Sequence, residues 1–150
     1  MSEGGYLVVR YTPRYFKADE FKCPDCGQVK VAVGLVMLLD LLRAVLGVPL
    51  RINSGFRCAT RNKAVGGSDR SRHMLGCAAD LALPQGLGFG TFKQKVEAVF
   101  ARDLYECKAY PAKSFIHVAI PRSTADYWSG GDIYVADGTN SHIWATDGNG

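Results

Sequence analysis

The apolar positions of this chain fall into a few runs separated by Gly, Pro and polar turns. Over residues 31–46, Leu35, Leu38, Leu39, Leu42, Val45 and Leu46 recur at helical spacing, which predicts a helix with these side chains inward. Gly47 and Pro49 end it, with glycine at the C-terminal end and proline just beyond. Leu50 to Asn53 reads as a short strand delivering a Ser54-Gly55-Phe56-Arg57 turn, and Thr60 to Val65 as a short helix closed by Gly66-Gly67. Ala78 to Leu83 and Phe115 to Ile120 read as two apolar strands. Between them lie a Gly-rich loop, Pro84 to Gly90, and a helix that Thr91 caps. This helix runs to about Arg102 with Phe92, Val96, Val99 and Phe100 inward.

Toward the ends the pattern weakens. Tyr6 to Tyr11 is β-prone and leads to a turn at Pro13. The tail after Pro121 is rich in Gly, Asp, Ser and Asn, and either packs loosely or forms a terminal hairpin. The order of elements predicts an α+β domain, with helices on one side of a small antiparallel sheet. A length of 150 residues suits one domain over 1–150, with a motif core at 53–120 and a polar tail at 121–150.

Two polar residues interrupt the apolar strands. Asp80 lies inside Ala78-Ala79-Asp80-Leu81-Ala82-Leu83, and His117 inside Phe115-Ile116-His117-Val118-Ala119-Ile120. Burying a carboxylate alone costs several kcal/mol, so Asp80 needs a cation, hydrogen-bond donors or a metal. His73 lies seven residues before Asp80, across a small-residue turn at Gly76. Two imidazoles and a carboxylate with an open fourth position are the ligands of a catalytic zinc centre. Residue by residue, the alternative is an Asp paired with Arg57 or Arg72 beside a satisfied core histidine.

The surrounding frame decides between these readings. Ser54-Gly55-Phe56-Arg57, Asn62 and Gly66-Gly67-Ser68 precede Ser71-Arg72-His73-Met74-Leu75-Gly76-Cys77-Ala78-Ala79-Asp80. This resembles the M15 family of zinc peptidases, whose signature is Ser-x-His-x-x-Gly-x-Ala-x-Asp preceded by a Ser-Gly-(Phe/Tyr)-Arg turn. The resemblance covers about two-thirds of the chain, from the Phe21-Lys22-Cys23 region to Ile120. It implies a fold shared with D-alanyl-D-alanine carboxypeptidases, phage endolysins and the hedgehog signalling domain. It also implies one zinc ion held by His73, Asp80 and His117, and hydrolysis of a peptide bond in peptidoglycan stem peptides. Arg57 matches a family arginine near the metal, placed to bind substrate and stabilise an oxyanion. Ser71 matches a motif serine at the substrate site that orients the ligand loop. The short form, with Glu20-Phe21-Lys22-Cys23, is most similar to the phage and prophage peptidases.

The family pattern fails at one function. Peptide cleavage needs a general base and a proton for the leaving amine. Many members carry an acid three residues before the third ligand, where this chain has Ser114. Some relatives carry it two residues after, where this chain has Ala119. Either Asp69, Glu106 or Asp132 reaches in from a loop, or the protein is a non-catalytic zinc-containing module that binds cell wall or serves in a phage particle.

Charge and cysteines add less. A net charge of +4 suits a polyanionic wall or plain solubility. Scattered basic residues argue against nucleic acid as a partner. No apolar run approaches the ~20 residues of a membrane span. Met1-Ser2-Glu3-Gly4-Gly5 lacks the basic-then-apolar order of a signal peptide. The expectation is a monomer made in the cytoplasm that reaches the wall by phage-type release. Five cysteines make an odd count, against a full disulfide framework. Cys23-Pro24-Asp25-Cys26-Gly27 has the spacing of a zinc knuckle, but no second Cys-x-x-Cys supplies two more ligands. Cys58, Cys77 and Cys107 are distant candidates; a tight turn or a Cys23–Cys26 disulfide is the preferred reading. A redox role lacks the strand–Cys-x-x-Cys–helix setting. Tyr127, Trp128 and Trp144 either stack on glycan rings or close over the core, and His142 reads as solvated.

Overall fold

Four antiparallel strands carry the residues singled out above. The protein is described by a computed structural model over residues 8–122 and 127–136. In chain order it has β1 (Val8–Tyr11), β2 (Val31–Ala32), α1 (Val33–Leu46), β3 (Ile52–Ser54), α2 (Ala59–Ala64) and β4 (Ala78–Ala82). There follow α3 (Phe89–Phe100), β5 (Glu106–Tyr110), β6 (Phe115–Ala119), β7 (Tyr127–Trp128) and β8 (Ile133–Ala136). The main sheet runs β3-β4-β6-β5, all antiparallel. This is the α+β architecture the pattern predicts.

Alternation along the two central strands separates core from site. Ala79, Leu81, Ile116 and Val118 are buried in one cluster with Leu35, Leu39, Phe92 and Val96 of the helices. Asp80 and His117 face the other way and are paired directly across β4 and β6. Neither sits in the hydrophobic core, as their apolar flanks suggested. They occupy the open face of a sheet whose other face is sealed by α1 and α3.

The predicted elements stand with local corrections. α1 starts at Val33 because Val31 and Ala32 pair with β7, and Ala32 N–H donates to the Gly76 carbonyl at 2.8 Å. Val45 is 49 % exposed, not inward, since residues 43–46 form a last turn without a buried side chain. Asp40, at the end of the apolar run, is itself buried. Its carboxylate accepts from the Tyr11 hydroxyl and from the N–H groups of Arg14 and Tyr15. α3 begins after Gly88, whose extended backbone serves as the cap, so Thr91 lies inside the helix.

β5 has no counterpart in the apolar pattern. It is an edge strand, and Glu-Cys-Lys-Ala-Tyr carries the charges that such edges tolerate. Among the described residues of the tail, the two strands pair with the N-terminal part of the chain and not with each other: β7 pairs with β2, and β8 with β1. Trp128 is buried edge-on to Phe21, with ring centroids 6.3 Å apart, while Tyr127 is 40 % exposed. Trp144 and His142 lie outside the described residues.

Candidate metal centre

His73 comes to the site on a short 3-10 turn, Arg72–Leu75, between α2 and β4. The Ser71 hydroxyl accepts from the His73 N–H at 3.2 Å and starts the turn. Gly76 ends it at φ 71, where a side chain would be strained and a Cβ would lie 2.5 Å from the Lys30 carbonyl oxygen. Gly55 is required for a different reason. A Cβ there would lie 2.6 Å from the Phe21 Cα, so only glycine lets the Ser54–Arg57 turn lie on the Phe21 backbone. These two contacts give the small residues of the motif a physical role.

Three donor atoms converge. His73 Nε2 and His117 Nδ1 lie 3.1 and 3.0 Å from the same Asp80 Oδ1. The ligand atoms of His73, Asp80 and His117 all lie within 4.8 Å of one another. Each ring is fixed from behind. His73 is fully buried, and its Nδ1 sits 2.7 Å from the Gly55 carbonyl oxygen. A carbonyl can only accept, so Nδ1 donates to it and Nε2 is the nitrogen turned toward the site, where it contacts Asp80 and would face a bound metal. His117 Nε2 lies 3.1 Å from Glu106 Oε1, which leaves Nδ1 as its inward-facing nitrogen.

The electrostatics follow from this packing. Burial alone would raise the Asp80 pKa, but hydrogen bonds from His117 and His73 outweigh it and hold the carboxyl well below the usual carboxylate range. For His117 burial favours the neutral ring, yet Asp80 and Glu106 together raise its pKa. A carboxylate kept ionised between two imidazoles, with outer partners orienting both rings, fits a zinc ion by donor type and convergence.

Arg57 stands beside this triad. Its N–H donates to the His73 carbonyl at 3.2 Å, and burial lowers its pKa against the attraction of Asp80. The Nε is buried without a hydrogen-bond partner. Such a donor is costly unless another molecule satisfies it. Arg57, Asp80, Glu106 and His117 line an open cleft of about 1020 Å³.

Of the other acids considered from sequence, Asp69 also lines the cleft. Asp132 does not: it accepts from Thr12 and pairs with Arg10 at 3.7 Å, beside β1. Ser114 sits in a left-handed turn position at φ 56 and Ala119 near the far end of β6, directly opposite Glu106. Glu106 thus reaches His117 from a neighbouring strand, not from a loop. No sequence motif marks it, because cross-strand proximity depends on the β5–β6 register.

The family model for peptidase M15 matches residues 14–119 of this chain. The chain belongs to the M15 peptidase family. That match spans the four-stranded sheet, the His73 turn and the cleft residues named above. The chain is also similar to the zinc D-Ala-D-Ala carboxypeptidase of Streptomyces albus G, at 50% identity over 44 residues. That stretch is 29% of this chain and 17% of the relative, so it spans less than a fifth of the carboxypeptidase's length. Among the described residues of this M15 protein, no helix is long and apolar enough to cross a membrane.

Proposed function

We propose that this M15 protein hydrolyses a peptide bond in peptidoglycan stem peptides, using zinc held by His73, Asp80 and His117. The observation that carries the reading is the convergence of these three donors beside a buried, unpartnered Arg57 Nε in an open cleft. Zinc at such a site polarises a carbonyl and lowers the pKa of water to about 7. The chain's own residues supply the rest. Arg57 donates to the scissile carbonyl oxygen as negative charge develops there. Arg70, Arg72, Lys108 and Arg122 also line the cleft and suit the free carboxylates of a stem peptide. Arg72 is held in place over the Tyr105 ring, 3.6 Å from its centroid. Ser71 acts by holding the His73 turn.

Glu106 is the acid that the motif positions lack. It accepts from His117 Nε2 through one oxygen, is half exposed to the cleft, and can take a proton from water and return it to the leaving amine. The similarity of Glu20-Phe21-Lys22-Cys23 to phage and prophage peptidases favours a phage-type release to the wall. Because Ser114 and Ala119 replace acids, a non-catalytic wall-binding module is the second reading.

The test is release of new amino groups from purified peptidoglycan by the zinc-loaded chain. Release is expected and is abolished by chelation and by His73→Ala. Arg57→Ala lowers kcat about 10²–10³-fold, the range for one oxyanion donor. Glu106→Gln lowers it about 10²–10⁴-fold with zinc still bound. Zinc binding without release from any wall type would leave the binding module.

A further inference from the structure

A second cluster of ligand atoms lies at the end of the Ser54–Arg57 turn, where Cys58 follows Arg57. Cys23, Cys26 and Cys58 bring their sulfurs within 4.8 Å of one another, with Cys23 Sγ 3.6 Å from Cys58 Sγ. None of the five cysteines forms a disulfide. The Cys23–Gly27 segment is a tight turn: Gly27 N–H donates to the Cys23 carbonyl and Cys23 N–H to the Gln28 carbonyl, both at 2.8 Å. Lys22 and Val29 bridge its two ends. The missing third ligand comes from 35 residues away.

We propose that Cys23, Cys26 and Cys58 bind a second, structural metal ion of the thiophilic class, with zinc as the physiological case. Three sulfurs in one small volume are soft donors that select such metals. The turn is built for anionic sulfur. Backbone N–H groups around Asp25, Cys26 and Cys58 hydrogen-bond the Cys23 sulfur, the arrangement that favours a thiolate ligand. Exposed Cys26 leaves the fourth position to solvent or to an exogenous ligand.

The placement gives the ion a purpose. Cys58 follows Arg57, and Cys23 follows Phe21 by two residues. Phe56 N–H donates to the Phe21 carbonyl at 2.8 Å, and Gly55 lies against the Phe21 backbone. Cross-linking Cys23, Cys26 and Cys58 therefore clamps the turn that holds Arg57 at the cleft and the Gly55 carbonyl on His73. The clamp does not depend on the catalytic reading above.

Metal analysis and cobalt spectra of the full chain, kept reduced, test it. Wild type is expected to bind two zinc ions per chain, and His73→Ala and Cys26→Ser one each. Cobalt-loaded His73→Ala should show the intense thiolate-to-cobalt charge-transfer absorption, because the His73, Asp80 and His117 site contains no sulfur. Exposed Cys26 makes Cys26→Ser a mild change, and this variant should lose that band. A single equivalent in wild type with no charge-transfer band would overturn the proposal. So would a band that persists in Cys26→Ser, or a Cys23–Cys58 disulfide that mass spectrometry finds in the chain as purified under mild reducing conditions.

Discussion

At the scale of single residues, the Asp80–His117 pair makes the metal-free protein sensitive to pH in both directions. Asp80 is held below its ordinary range, so its contribution to stability is present above about pH 4 and is lost as pH falls through the folded-state value. His117 is raised, so its contribution is full below about pH 6.5 and is lost as pH rises through the folded-state value. The chelated protein should therefore show a maximum of thermal stability in mildly acidic solution. Asp80→Asn removes the acid arm and leaves Glu106 alone to support the His117 arm, and thermal melts across the acid and neutral range read the difference. An Asp80→Asn profile as bowed as that of the wild type would contradict this account. With zinc present, protons compete for His117 Nδ1, and the metal's stabilisation should instead grow as pH rises.

At this same scale the sequence was most informative. His73, Asp80 and His117 are named by a local motif and by polar interruptions of apolar strands, and the structure brings all three together. Glu106 and Cys58 were legible only as candidates among several. Their partners lie 11 and 35 residues away, and only strand register or turn packing selects them.

At the scale of elements, the runs with clear periodicity were found, with boundaries moved by a few residues. The β2 segment shows the physical reason for the shifts. Val31 and Ala32 fit the helical pattern, but tertiary pairing with β7 overrides it. β5 was missed because its charged edge sequence carries no alternating apolar signal. The Ser54–Arg57 turn offers a prediction that belongs here. Gly55→Ala forces a Cβ into the Phe21 backbone, which cannot rotate away as a side chain would. The expected cost is about 1–3 kcal/mol, typical of overpacking. It would be measured by denaturant unfolding of the metal-free chain, with a matching loss of zinc affinity because the Gly55 carbonyl orients His73. Unchanged stability and affinity would show that the turn does not depend on this close approach.

Across the whole molecule, the segments beyond the family match still serve the fold. Trp128 of β7 is buried against Phe21, whose carbonyl in turn anchors Phe56 beside the site. Trp128→Ala is expected to cost about 3–5 kcal/mol in unfolding free energy, the range for a buried aromatic. Its effect should pass to the cleft through the Phe21–Phe56 contact and appear as weaker substrate binding at unchanged zinc content. Equilibrium unfolding and a KM-against-kcat comparison check the two halves. A stability loss under about 1 kcal/mol would mark Trp128 as a surface residue in solution.

The direct pairing of Asp80 with His117 across β4 and β6 also bears on how faithfully the chain folds. Side chains on a strand change face with each step, so a slip of either strand by one residue would drive an ionisable group into the apolar layer under α1 and α3. The slipped arrangement would bury a charge among Leu39, Phe92 and Val96 and turn Leu81 or Ile116 out to water. The correct alignment is therefore enforced before any metal arrives. The pair that the chemistry requires also proofreads the sheet.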